Sequence, residues 1–437
     1  VKLTKNLGES GNDLFSYFCA MISFTEFKLE NGLHVIVHED PTVQIAVMNI
    51  LYDVGSRDER EEKTGFAHLF EHLMFGGSVN IPNYDEPLQR VGGENNAFTN
   101  TDITNYYLTV PAANIETAFW LESDRMLSLS FDPNVLEVQR KVVVEEFKQR
   151  YFNQPYGDVW LKLRPLAYKK HPYKWATIGK EISHIEMATD ADVKEFFFRH
   201  YVPSNAILVV AGNVIVDQVK MLSKKWFEPI ASGKKPVRNL EREPAQRAKR
   251  VLETVEDVPA NALYKTFHMG GRFGPDYYAV DLLSDILSRG QSSRLYHQLV
   301  KQKEIFTSIS SFVMGTIDPG LLVISGRVRD GINLEDAEQE INKILKEIVE
   351  NGVTETELEK VKNQAVSTIE FGEVEVSNRA MALAFAALSG NTNLVNTEKL
   401  ELEAVTVNDV HMVAKNILRE ENSSVLYYRS AKQGLQT

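Results

Sequence analysis

The chain has 437 residues, 43% hydrophobic and 25% charged, enough apolar side chains for a sizeable core spread over about two to four domain-sized units. A formal net charge of -12 excludes general nucleic-acid binding, which needs a basic surface to displace counterions, and disfavours anionic membrane surfaces. A single cysteine, Cys19, allows no disulfide within the chain and no thiolate metal site, and no apolar run approaches the ~20 residues that span a bilayer. The setting expected from this is the cytoplasm, with the periplasm as the alternative.

Residues 1–20 show no clear hydrophobic segment and are expected to be an added leader or a disordered arm, with Met21 as the natural start. From Phe24 onward Asn31-Gly32 is a hairpin signal between two alternating stretches. A strand is predicted over 45–54, a helix over 65–75, one strand across 96–110, and helices over 113–129 and 133–150. Asp132-Pro133 is an N-cap and first-turn pair for the last of these. A helix over 190–200 leads to the apolar strand 206–212. The stretch around 228–248 is rich in Pro, Lys and Arg and reads as a linker.

Beyond it the order repeats: a strand region over 249–269, helices over 277–287 and 293–301, and strands over 308–313 and 321–328. Helices follow over 334–350, 354–367 and 377–388, then a helix over 407–417 and a strand over 423–428. The expected architecture is α+β, two homologous repeats, each a mainly antiparallel sheet with helices packed on it. The expected units are an N-terminal domain over 21–227, the linker over 228–248 and a C-terminal domain over 249–437.

Residues 68–72 read His-Leu-Phe-Glu-His. On a helix, positions i and i+4 share a face, so His68 and His72 can present two imidazoles to one metal ion, with Glu71 beside them. Two imidazoles and one carboxylate would hold zinc with a position open for water, and Glu71 would take the water's proton. The third ligand is sought in the predicted helix containing Val142-Val143-Val144-Glu145-Glu146, where either glutamate is a candidate.

With those residues in place, the chain resembles the pitrilysin, insulysin and mitochondrial processing peptidase family, the inverzincin zinc peptidases. His68-Leu-Phe-Glu71-His72 matches the family's His-x-x-Glu-His. Gly92 to Thr99 resembles its Gly-Gly-x-x-Asn-Ala-x-Thr segment, followed by Asp102, Thr104 and Tyr106. Arg140 to Phe147, His171-Pro172-Tyr173 with Gly179, and Asn205 to Gly212 also match, so the likeness runs from about residue 24 to the C-terminus. The resemblance implies a zinc endopeptidase folded as half of a clamshell chamber, with Glu71 as general base and Glu146 as the third ligand. It also implies that Asn96, Ala97, Phe98 and Thr99 form an edge strand on which a peptide adds as a further strand, Asn96 and Ala97 being the nearest contacts.

Two positions depart from the family pattern. Gln139 stands where many relatives carry a supporting glutamate, keeping hydrogen-bonding ability without the charge. Val300 and Thr307 stand where active relatives place a substrate-binding arginine and tyrosine. The resemblance therefore implies the zinc-bearing subunit of a heterodimer whose homologous partner supplies those two groups, a homodimer being the alternative. Arg294, Tyr427 and Tyr428 are the in-chain substitutes to examine. The competing readings are a non-catalytic core or assembly subunit of the same fold and a structural zinc protein. The intact His68, Glu71, His72 and Glu146 set argues against the first, and the absence of a fourth ligand argues against the second.

Overall fold

A computed structural model describes residues 21–432; the expected leader, with Cys19, lies outside them. The first sheet contains β1 (Thr25–Lys28), β2 (His34–Glu39), β3 (Ile45–Tyr52), β4 (Glu94–Thr99), β5 (Thr104–Pro111) and β6 (Ala206–Gly212). Its order is β1-β2-β6-β3-β5-β4, antiparallel except for the β2–β6 pair. The second sheet contains β7 (Arg250–Glu256), β8 (Ala262–His268), β9 (Phe306–Met314), β10 (Leu321–Val328) and β11 (Ser423–Ser430), in the order β7-β11-β8-β10-β9. Only β7–β11 is parallel. Reading β7 for β2, β11 for β6, β8 for β3, β10 for β5 and β9 for β4 reproduces the first order, so the repeat expected from the sequence is a repeat of topology.

The single strand expected across 96–110 is a hairpin, β4–β5. Asn100 breaks it: its side-chain oxygen accepts the N–H groups of Asp102 (2.7 Å) and Ile103 (2.9 Å), closing an Asx turn. The strand region at 249–269 likewise divides into β7 and β8. The helices that matter for the site are α1 (Phe66–Leu73), α2 (Pro133–Phe147), α3 (Val159–Ala167), α4 (Tyr277–Ser288) and α5 (Val376–Leu388). Asp132 caps α2 as expected, accepting from the Asn134 N–H, and a wider π-type turn over Lys148–Phe152 follows that helix.

Each sheet is apolar on both faces. On the first, Met48, Ile50, Leu108, Leu208 and Val210 pack against Leu69 and Phe70 of α1 and against the helix Ile115–Leu127. The opposite face, with Ile36, Val47, Leu51, Val209 and Ala211, is covered by Ala380, Leu383, Ala384 and Ala387 of α5, a helix from the far half of the chain. The second sheet repeats the pattern. Leu263, Phe267, Leu322 and Ile324 pack on Val280, Leu283 and Leu287 of its own α4. Ala262, Tyr264 and Leu426 pack on Val159 and Leu163 of α3, a helix from the first half. The halves therefore exchange a helix.

Residues 231–248 form neither helix nor strand and run across both halves. Arg238 bonds to Asp53 (2.8 Å) and Asp58 (2.6 Å) of the first half, and the Gln246 amide donates to the Ser423 carbonyl (2.6 Å) of the second. Inside the second half, Glu338 receives Lys265 (2.6 Å), Lys249 (2.8 Å) and the Tyr427 hydroxyl. Burial raises the carboxyl's pKa, but these partners outweigh burial and hold it down at about 2.

The packing makes three predictions. Leu383, wholly buried between α5 and the first sheet, should cost about 2–5 kcal/mol when cut to alanine, measured by urea unfolding. Trp120, Trp175 and Trp226 lie in the first half, while Trp160 on α3 packs against the second sheet, so with Trp160→Phe the remaining fluorescence should shift together with the circular dichroism of the whole chain; separate transitions would show the halves to be independent. The stability contributed by Glu338 should be complete above the ordinary glutamate value of 4.5 and be lost as pH falls toward about 2. Glu338→Gln should lower stability at neutral pH and flatten that stretch of the acid-unfolding curve.

Candidate metal centre

The sequence places His68, Glu71 and His72 on one face of α1. The helix begins after Gly65, whose φ of 89° suits glycine and which has no side chain to cap the first turn. Glu59 supplies the cap: one carboxylate oxygen accepts the Gly65 N–H and the other the Ala67 N–H, both at 2.9 Å. This glutamate is only 8% exposed, and burial pushes its carboxyl well above the usual range despite those N–H bonds.

α2 brings Glu146 to the same point. Its Oε2 lies 3.3 Å from His72 Nε2 and 3.7 Å from His68 Nε2. The ligand atoms of the three residues lie within 4.8 Å of one another, the only such group of His, Cys, Asp or Glu found among the described residues. The imidazole rings stand edge to face, 4.9 Å between centroids. Burial lowers the His68 pKa, against the pull of Glu146, so this imidazole is neutral near pH 7, the form that ligates metal. The Glu146 carboxyl is held down, chiefly by its hydrogen bond from His72, and its Oε1 accepts Arg150 Nη2 at 3.0 Å. Glu145 points away and pairs with Lys148 (2.7 Å). Two imidazoles and a carboxylate on converging helices form a donor set that fits zinc.

Glu71 is half-buried beside this group. Burial pushes its carboxyl upward, while hydrogen bonds from Thr99 and the neighbouring His72 draw it back. Thr99 ends β4, which pairs only with β5 and is therefore an edge. The strand's four candidate residues divide between its two faces. Ala97 and Thr99 sit opposite Tyr106 and Thr104, on the α1 side, while Asn96 and Phe98 sit opposite Tyr107 and Asn105, on the other. Phe98 is 37% exposed, and Asn96 Oδ1 accepts the Ala97 N–H at 2.8 Å. Gln139 lies half-buried on α2, two turns before Glu146.

Ser56, Arg57 and Asp318, around the centre, carried no sequence signal of their own. Ser56 and Arg57 hold the turn after β4 by their N–H groups, which donate to the carbonyls of Asn100 (3.2 Å) and Thr101 (3.0 Å). The Arg57 guanidinium lies 3.0 Å from both Asp102 and Asp318, the latter from the second half. Asp102 also accepts the Tyr173 hydroxyl and the Ile317 N–H (3.0 Å), and His171 Nε2 lies 3.5 Å from Asp318. The family-like His171-Pro172-Tyr173 segment thus ties the end of the edge strand to the second half.

Val300 packs against the second core, and the Thr307 hydroxyl donates to the Arg327 carbonyl (3.2 Å). The in-chain substitutes for these two positions are engaged elsewhere: Arg294 with Glu357 (2.7 Å), Tyr427 with Glu338, and Tyr428 with Asp158 (2.7 Å).

Residues 34–179 match the sequence family described as insulinase (peptidase family M16), and residues 188–365 match the one described as peptidase M16 inactive domain. The chain is similar to a Helicobacter pylori protein named zinc protease PqqE, 29% identical over 408 residues that cover 92% of this chain and 91% of the relative. Its fold is similar to the crystal structure of a protease from Helicobacter pylori, with a TM-score of 0.87 and 27% identity over 94% of this chain and 100% of that one. It also shares the fold of the periplasmic protease PqqL from Escherichia coli, with a TM-score of 0.76 and 17% identity, 93% of this chain matching 47% of that chain.

Glu59 provides a test of how the centre is held. Glu59→Ala should cost about 1–3 kcal/mol of stability, because it strips two N–H groups of their acceptor. It should also weaken zinc binding measured by competition with a chelator. Unchanged zinc affinity would show that α1 is positioned without its cap.

Proposed function

Because this chain belongs to the M16 (insulinase) peptidase family, we propose that it is a zinc-dependent endopeptidase hydrolysing peptides or extended segments. The observation that carries this reading is the convergence of His68, His72 and Glu146 with Glu71 and an open edge strand at one place. His68, His72 and Glu146 would hold the zinc ion, which when bound acidifies a water and polarises the scissile carbonyl. Glu71 takes the proton of the attacking water and returns it to the departing amine nitrogen. Its place beside the three ligand residues suits both transfers, since both reacting protons lie on groups held at the metal. A peptide laid along β4 would pair with its main chain and bring the scissile bond beside Thr99 and Glu71.

The chain works with a homologous partner subunit. Val300 and Thr307 offer neither a guanidinium nor a phenol, and the part of the longer PqqL chain that this chain matches is 47%. A partner of the same fold would close the chamber and contribute those groups. The non-catalytic assembly reading is weaker, because a purely structural role does not require Glu71 beside the three ligand residues.

Bound zinc and cleavage of a quenched fluorescent peptide, measured on the wild type and three variants, test this. Glu71→Gln should keep its zinc and lose about 10²–10⁴-fold in turnover. His68→Ala and Glu146→Gln should lose both metal and turnover. Full turnover in Glu71→Gln rejects Glu71 as the base, and rapid cleavage by the purified wild-type chain alone rejects the need for a partner.

A further inference from the structure

β10 alternates between two environments. Leu322, Ile324 and Val328 enter the second core, and Arg327 lies on the opposite face, among side chains near α3. The half-buried Arg327 guanidinium stacks 3.6 Å from the centre of the Tyr156 ring, and its Nη1 donates to the Tyr264 hydroxyl at 2.7 Å. Among the described residues no carboxylate lies within ion-pair distance of it. The half-buried arginines Arg238, Arg272, Arg294, Arg379 and Arg429 each hold one. Arg164 shares the lack, but it is buried and its guanidinium donates to the Tyr173 carbonyl (3.2 Å).

A guanidinium stays charged at any working pH and carries five donors, of which the Tyr264 bond uses one. Stacking on Tyr156 fixes its plane, so the remaining donors are held in the fork that matches a carboxylate. Hydroxyl groups line the same face. Ser308 is the register partner of Arg327, and Ser310 and Ser325 hydrogen-bond to each other at 2.9 Å. The nearby acids are already matched: Asp158 and Glu256 (2.5 Å) both hold Lys162, and Asp158 accepts the Tyr428 hydroxyl.

The place is connected to the metal centre by one short segment. Glu146 is followed by the π-type turn, and Arg150 in that turn holds the Glu146 carboxylate. The chain then folds back so tightly that a Cβ on Gly157 would stand 2.4 Å from the Arg150 carbonyl oxygen. Tyr156, the residue just before, carries the Arg327 guanidinium.

We infer that Arg327, held by Tyr156 and Tyr264, is a binding site for a carboxylate of the peptide, either its C-terminal α-carboxylate or an acidic side chain. This rests on the peptidase reading for the identity of the ligand, and it names the class of substrate.

The test measures binding apart from cleavage. The full chain carrying Glu71→Gln is titrated, by fluorescence anisotropy, against three forms of one unstructured peptide. One has its sole carboxylate at the C-terminus, one is the C-terminal amide, and one is the amide with a single internal glutamate. At least one acidic form should bind about tenfold more tightly than the neutral amide, the gain of one charge-assisted bidentate contact, and the form that gains identifies the source. Adding Arg327→Gln should abolish the preference, and Arg327→Lys, which keeps the charge without the flat fork, should reduce it. Equal binding of the three forms, no binding of any, or a preference that survives Arg327→Gln overturns the proposal. If the Gln variant fails to fold by circular dichroism, the Lys variant decides, and an undiminished preference there overturns it as well. A wild-type chain that holds no zinc yet keeps the acidic preference sinks the peptidase reading alone.

Discussion

The two sheets are apolar on both faces, and the second face of each is covered by a helix from the other half of the chain. β6 reads Ala-Ile-Leu-Val-Val-Ala-Gly and is buried throughout, which a strand tolerates only between two packed layers. The second layer comes from the other half: α5 over the first sheet, α3 over the second. α5 meets its sheet through alanines, which let the helix axis come close, and Arg379 at its start bonds to His38 (2.8 Å) and Asp40 (2.7 Å). With a helix exchanged in each direction, the halves cannot separate without exposing two apolar faces to water, so their relative position is set by burial.

That fixed position reaches the candidate centre through a buried charge cluster. Arg57 is 4% exposed and is surrounded by Asp53, Asp102 and Asp318. A guanidinium so far out of water is tolerated only when pairing offsets its desolvation, so the cluster needs all its members in place. One of them, Asp318, belongs to the second half, while Asp102 belongs to the turn that ends β4. The line from the second half runs through Asp318, Arg57 and Asp102 to Thr99, and Thr99 hydrogen-bonds to Glu71. The second half, which holds none of the three ligand residues, thereby helps to orient the proposed base.

Local features were legible in the sequence where one residue type has one physical use. The i and i+4 histidines fixed a helix face, Asp132-Pro133 started α2, and Asn31-Gly32 turned the first hairpin. The choice between Glu145 and Glu146 was open from the residues alone and rested on the family resemblance; the structure turns Glu146 to the histidines and Glu145 to Lys148. Features that depend on distant segments were not legible. The apolar stripe of α5 shows that it covers something, and nothing in it says which sheet. α3 was not anticipated, because Pro165 interrupts its pattern. Glu59 carries no sequence signal, and only the uncapped start of α1 gives it a purpose. Asn100, read as part of a strand, acts through its side chain on the backbone two and three residues ahead.

The same division explains why two halves of like topology differ in chemistry. The strands that face exchanged helices answer to packing on both sides, and their order is kept in both copies. The helix between the third strand and the edge strand differs in sequence between the two copies. In the first half that helix is α1, with His68, Glu71 and His72 toward α2 and the edge strand. In the second it is α4, longer and buried along most of its length, with Tyr277, Tyr278 and aliphatic side chains. An unpaired edge strand invites unwanted pairing and is ordinarily covered or broken up. β4 stays open, pinned at its end by the Arg57 cluster, and its Ala97 N–H is met by the adjacent Asn96 side chain. On the proposed reading, an incoming peptide strand would displace that side chain to reach the N–H, exchanging one short-range hydrogen bond for a row of intermolecular ones.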